Sequence, residues 1–249
     1  MMHIDRVIHY CWFGKTPKPD SVLAYIANWS EMLPTYQIIE WNEDNFDIDC
    51  CQYVKEAYAA KKYAFVSDYA RLLALYQHGG VYLDTDVEVC KNLDPLLARG
   101  VLTFGFEEGH YAATSTMVAP KASTFIADFI DSYHARHFID SNGELDTTTN
   151  VQVLTALLEA IGLAKNGVEQ VLHYQDEEIA VLPQRFLSPF DYLNHQDKSG
   201  DQTYTIHHFS NSWASVSSLR KNKIKKLIGS RGVRVLRKIL STRFNTNNV

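Results

Sequence analysis

Apolar and aromatic residues fall in short runs whose spacing changes along the chain. The first run, Arg6-Val7-Ile8-His9-Tyr10-Cys11-Trp12-Phe13-Gly14, is almost continuous and ends at a turn signal, the pattern of a buried strand in a parallel sheet. Residues 15–19 read as a loop. Ser21 is placed as the cap of a helix through Asn28 and Trp29 to about Met32, and Pro34 stops it. Residues 37–41 form a second strand, completing a βαβ unit with a right-handed crossover. A short helix over 53–60 and a stronger one over 66–77 follow. Leu72, Leu73, Leu75 and Tyr76 give the second helix its apolar face, and Gly79-Gly80 ends it. Val81-Tyr82-Leu83 is the next strand, with Asp84-Thr85-Asp86 where it runs out. Residues 101–106 read as a strand, 123–133 and 149–161 as helices, and 178–182 and 203–207 as late strands. Without repeats or a linker before about residue 216, this is one α/β domain, residues 1–218, with a C-terminal extension, 219–249.

Composition changes this picture at one place, the C-terminus. With 249 residues, 46% hydrophobic and 21% charged, the chain has ordinary globular material for a core. The net charge of −5 hides a division: residues 1–218 hold 14 Lys/Arg against 29 Asp/Glu, whereas 219–249 hold 10 Lys/Arg and no acid. In that tail Ile224, Leu227, Ile228, Val233, Leu236 and Ile239 lie between cations at helical spacing. Such a segment suits the surface of an anionic membrane, or else a solvated basic end. The acidic body argues against nucleic acid. Cys11, Cys50, Cys51 and Cys90 form no CxxC pair, so neither a zinc site nor a disulfide framework is expected. The start lacks a signal-peptide layout, and no apolar run reaches 18 residues. The expected location is cytoplasmic, peripheral on the inner membrane face through the tail.

Candidate chemistry centres on Asp84 and Asp86. An apolar strand delivers both to the carboxyl edge of a sheet, where open α/β folds bind ligands. Two carboxylates there repel each other unless a cation joins them, and Mn²⁺ or Mg²⁺ suits such ligands. Asp68 and Arg71 stand three apart on the preceding helix and face the same way. They are either a local ion pair or a pair turned toward a ligand. His207 and His208 alternate on a strand, so only one can face a given site. Glu107 and Glu108, after the 101–106 strand, could approach an acceptor but read more readily as surface carboxylates.

The ordered set Ile8-His9-Tyr10-Cys11-Trp12-Phe13-Gly14, the Trp29 helix, Ile39-Glu40-Trp41-Asn42, Ala64-Phe65-Val66-Ser67-Asp68-Tyr69-Ala70-Arg71, Gly79 through Asp86, and His207-His208-Phe209-Ser210-Asn211-Ser212-Trp213 strongly resembles one family. It is that of glycosyltransferases with a DxD sugar-binding region, among them capsular polysaccharide synthesis enzymes and the yeast mannosyltransferase that initiates outer chains. The resemblance covers most of residues 4–213. It implies a GT-A fold, a nucleotide-diphosphate sugar donor such as a UDP-hexose, and transfer with retention to a saccharide or lipid-linked saccharide. Asp68 and Arg71 match positions that hold the donor sugar, and Asp84 matches an acid that contacts ribose or sugar. Asp86 matches the metal ligand, joined by Ser212 and by His207 in preference to His208. Tyr10, Trp12 and Phe13 match the nucleobase wall, Thr85 lies within the donor motif, and Trp213 matches a residue near the leaving phosphate. Two other functions fit the same residues less well: a non-catalytic nucleotide-sugar-binding module, and a phosphohydrolase, which would need more acids and histidines.

Overall fold

A computed structural model describes residues 2–191 and 196–210. In chain order the elements are β1 (Val7–Cys11), α1 (Asp20–Met32), β2 (Gln37–Trp41), α2 (Gln52–Ala59), α3 (Tyr63–His78), β3 (Gly80–Leu83), β4 (Val87–Val89), α4 (Asp94–Leu97), β5 (Leu102–Phe106), β6 (Ala112–Ala119), α5 (Thr124–His134), α6 (Asn150–Ala160), β7 (Gln170–Tyr174), β8 (Glu177–Leu182), α7 (Gln184–Leu187), β9 (Phe190–Asp191), β10 (Gln196–Asp197) and β11 (Thr205–His207). Seven strands form one sheet in the order β2-β1-β3-β6-β5-β8-β7. β1 runs parallel to β2 and β3, β6 is antiparallel to β3 and β5, and β8 is parallel to β5. With β7 also reversed, five of the seven strands share one direction, the mixed, mainly parallel sheet between helices expected of a GT-A fold.

Each face of this sheet carries its own core, because the strands are apolar on both sides. One core packs α2, α3, α5 and α6 on the sheet through Tyr53, Val66, Leu72, Phe129 and Leu154. The other packs α1 and α4 against β1, β3 and β4 through Trp29, Leu96, Ile8 and Val87. Period-two alternation along β1 sends Cys11 to the first core and Tyr10 to the second.

Where the structure departs from the sequence expectation, local chemistry explains it. Ser21 does not cap α1; Pro19 does, with φ −62° and ψ 156° and no side-chain bond. Its fixed φ presents the carbonyl that takes the first bonds from Val22 and Leu23. β6 is absent from the sequence reading because Ala-Ala-Thr-Ser-Thr-Met-Val-Ala lacks a hydrophobic run, yet all eight residues are buried. Gly80 has φ +98°, and a Cβ there would lie 2.6 Å from the Val7 carbonyl oxygen, so only glycine lets β3 begin flush against β1. The boundary at residue 218 and the basic tail lie outside the described residues. Among the described residues no helix is long and apolar enough to cross a membrane.

One loop brace gives a testable pH dependence. The Glu56 carboxylate accepts bonds from the Phe138 and Ile139 backbone N–H groups at 2.7 and 3.0 Å and from Gln52 at 2.7 Å. It thereby ties α2 to the segment that leads into α6. Burial alone would raise its carboxyl, but these bonds and His137 hold it at about 2. A depressed folded pKa adds stability that is complete above the unfolded value and lost as pH falls toward 2. Acid titration of wild type and Glu56→Gln should therefore diverge above about pH 4.5 and converge near pH 2. Parallel curves across that window would remove the brace from the stability account.

Candidate active site

The centre of the site is Arg71, buried on α3 with two carboxylates. Its Nη2 lies 3.0 Å from Asp68 Oδ1 and its Nη1 lies 3.2 Å from Asp84 Oδ1. Nη1 also donates to the Thr114 carbonyl on β6 at 2.9 Å, Nε donates to Ser67, and the guanidinium sits 4.6 Å from the centre of the Tyr82 ring. The small residues of β6 matter here: they let an arginine reach a strand carbonyl in the sheet interior. Burial would discharge the guanidinium, but Asp84, Tyr82 and Asp68 more than offset this and keep its pKa raised. Asp68 is lifted to about 6 by burial, with Arg71 opposing, and burial also raises Asp84. A planar fork shared by two partly desolvated acids orients both of them.

Asp84 and Asp86 are held by the elements around them. The Asp84 N–H donates to the Ser115 carbonyl at 2.8 Å, and the Tyr82 hydroxyl donates to its Oδ1 at 3.0 Å. β4 follows at once and is braced by α1: the Trp29 indole donates to the Val87 carbonyl at 2.8 Å, and Asn28 bonds both polar groups of Val89. That brace is the physical role of the Trp29 helix. β11 pairs antiparallel with β4 in the register His207↔Val87, which brings His207 Nε2 to 3.3 Å from Asp86 Oδ1. A left-handed turn at Phe209, φ 49°, then returns the Ser210 N–H to Asp86 Oδ2 at 2.7 Å. Burial disfavours both charges of the Asp86–His207 pair. Their mutual attraction wins, lowering Asp86 to about 2 and raising His207 to about 9.

Asp84, Asp86 and His207 each offer a ligand atom within 4.8 Å of the others. Two carboxylate oxygens and one imidazole nitrogen fit a divalent cation. Binding must displace the proton that His207 shares with Asp86. His208 points away: its Nε2 lies 2.8 Å from Glu88, and its ring stacks on Tyr25. A cavity of about 520 Å³ opens beside these groups, lined also by Trp12, Phe13, Asp68 and Thr85.

Residues 19–102 match the family described as the glycosyltransferase sugar-binding region containing the DXD motif. This stretch, about a third of the chain, is similar to that glycosyltransferase family's sugar-binding region. The match spans the α1 brace, Asp68, Arg71 and the Asp84-Thr85-Asp86 triplet. No curated protein matches the sequence. Among solved structures it is similar to PaToxG glycosyltransferase, with 18% identity and TM-score 0.48 over 64% of this chain and 70% of that one. The galactosyltransferase LgtC, solved with donor and acceptor sugar analogues, gives 12% identity and TM-score 0.46 over 87% and 92%. A glycosyltransferase involved in glycosylating the major capsid of PBCV-1 gives 12% and 0.45 over 86% and 98%.

The structure gathers Asp68, Arg71, Asp84, Thr85, Asp86, Trp12, Phe13 and His207 around one cavity. Tyr10 is not among them. It points through the opposite face of β1, packs edge-on against Trp29, and donates its hydroxyl to Glu40 at 2.5 Å. Alternation put it on the far side from Cys11, and the sequence pattern alone could have shown this. Glu107 corrects the surface reading in the other direction: it lines the cavity. Asn150, also missed, sits in the wall at the start of α6 and bonds the Asp68 carbonyl at 3.0 Å. Ser212 and Trp213 lie outside the described residues.

Proposed function

We propose that this glycosyltransferase moves a hexose from a UDP-sugar to a saccharide or lipid-linked saccharide in surface polysaccharide synthesis, with retention and with Mn²⁺ as cofactor. The observation that carries this reading is the placement of Asp84, Asp86 and His207 beside the buried Asp68–Arg71 pair in one cavity. Trp12 and Phe13 provide the flat, apolar wall that a nucleobase needs. Asp68 and Asp84 offer acceptor oxygens to sugar hydroxyls, and Arg71 fixes the direction in which each points. Asp84, Asp86 and His207 would hold the cation, which supplies charge stabilisation for the departing diphosphate. Arg71 adds a fixed positive charge that needs no reorganisation as charge develops.

The direct test is a panel of UDP-glucose, UDP-galactose, UDP-GlcNAc and GDP-mannose with Mn²⁺, read by thermal shift and nucleotide release. At a hundredfold excess over Kd, bound donor stabilises by about 2.7 kcal/mol, a rise of roughly 5–10 °C for a chain of this size. One UDP-hexose should give that rise together with slow release of UDP, and chelation should abolish both. A flat response across the panel with Mn²⁺ present would end the proposal.

A further inference from the structure

Glu107 follows the last residue of β5 and opens the turn to β6. Its N–H donates to the Tyr111 carbonyl at 2.8 Å and its carbonyl accepts from His110 at 3.0 Å, so the backbone is pinned on both sides. Phe106 is fully buried in the core, and the next side chain enters the cavity wall. Among the described residues the Glu107 carboxyl has no hydrogen-bond or ion-pair partner. A half-buried carboxyl without a partner is costly unless a ligand supplies one.

The surroundings define what that ligand group must be. The cations nearby are committed: Arg71 to Asp68 and Asp84, and His207 to Asp86. Glu107 does not belong to the three groups gathered for a metal. A phosphate would meet a group of like charge whenever the carboxyl is ionised. What remains is a neutral donor, and the neutral donors on a sugar are its hydroxyls. The position selects which sugar. β6 lies between β3 and β5, with its Thr114 carbonyl held by Arg71 and its Ser115 carbonyl held by the Asp84 N–H. Glu107 is thus fixed across one strand from the residues assigned to the donor.

We propose that Glu107 accepts a hydrogen bond from a hydroxyl of the transferred hexose and is a specificity-determining residue of the donor site. This rests on the UDP-hexose reading above. Burial raises the carboxyl to about 7, His207 opposing and Asp84 reinforcing, and either protonation state leaves an oxygen to accept the bond.

The experiment compares wild type, Glu107→Ala and Glu107→Gln by calorimetric titration with UDP and with UDP-glucose and UDP-galactose, all in excess Mn²⁺. UDP reports the nucleotide and metal half of the site; the hexose adds the interaction in question. Glu107→Ala should bind UDP within about twofold of wild type and lose about tenfold in affinity for the preferred UDP-hexose, the size of one hydrogen bond to a charged group. Glu107→Gln keeps a carbonyl acceptor and should recover most of that loss. The proposal is overturned if Glu107→Ala binds the UDP-hexose as wild type does. It is equally overturned if UDP and UDP-hexose weaken together, or if only transfer to added saccharide suffers, which would assign Glu107 to the acceptor. If wild type binds UDP but gains nothing from any hexose, this inference falls alone. If wild type binds no UDP compound, the functional reading falls and takes the inference with it.

Discussion

Arg71→Ala should unfold more easily and lose nearly all transfer activity. The substitution leaves Asp68 and Asp84 facing each other without the cation that both bond, in a region where Arg71 is only 5% exposed. Removing one partner from a buried ion network costs about 3–5 kcal/mol, which at this chain length lowers Tm by roughly 10 °C. The two acids would take up protons to relieve the repulsion, so part of the loss should be recovered at mildly acidic pH. Arg71→Lys separates structure from chemistry. It restores one charge but not the fork that reaches Asp68, Asp84 and the Thr114 carbonyl together. Its Tm should lie close to wild type, while kcat/KM stays down by about 10²–10³, the usual effect of one fixed donor in a transition-state site. Full activity in Arg71→Lys would show that charge alone matters and that the orienting role is wrong.

Asp86→Ala carries the second large effect. Asp86 is the junction between the strand-end motif and the C-terminal segment, bonded to His207 and to the Ser210 N–H. Loss of its carboxylate takes one ligand from the set of three and removes the group that keeps His207 charged. Transfer should fall by about 10³ or more, and the Mn²⁺ concentration needed for half-maximal activity should rise beyond the millimolar range. Asp84→Asn makes a useful contrast. Its charge is shared with Arg71, so its defect should fall on donor affinity as well as on metal. Near-normal transfer by Asp86→Ala with unchanged metal dependence would sink the metal assignment.

How much of this site the sequence could disclose depends on how local each feature is. Asp68 and Arg71 were placed on one helix face by their spacing alone, and the apolar run before Asp84 located the motif at a strand end. What spacing left open was whether the two form a local ion pair or turn toward a ligand; they do pair locally and both line the cavity, and Arg71 also reaches Asp84 and the Thr114 carbonyl because β6 comes within reach. β6 itself was illegible. Its alanines and threonines carry no hydrophobic period, since a central strand under a buried arginine and a packed helix needs small side chains more than large ones. Glu107 was hidden for a related reason. A turn after a strand usually faces solvent, and only the antiparallel return of β6 turns this one inward. His207 over His208 could not be settled by alternation, which separates two faces without naming either; the β4–β11 register names them.

That register has a further consequence. Asp86 and His207 are about 120 residues apart in the chain, and the two strands that align them form a small sheet outside the main one. A cation held between them would act as a removable cross-link closing about half of the polypeptide into a loop. Cross-links over such spans restrict the unfolded ensemble strongly, with only a logarithmic dependence on length. Metal supply would then govern more than catalysis: it would set how firmly β11 stays docked on β4, so that amide exchange in β11 reads out metal occupancy without any substrate present.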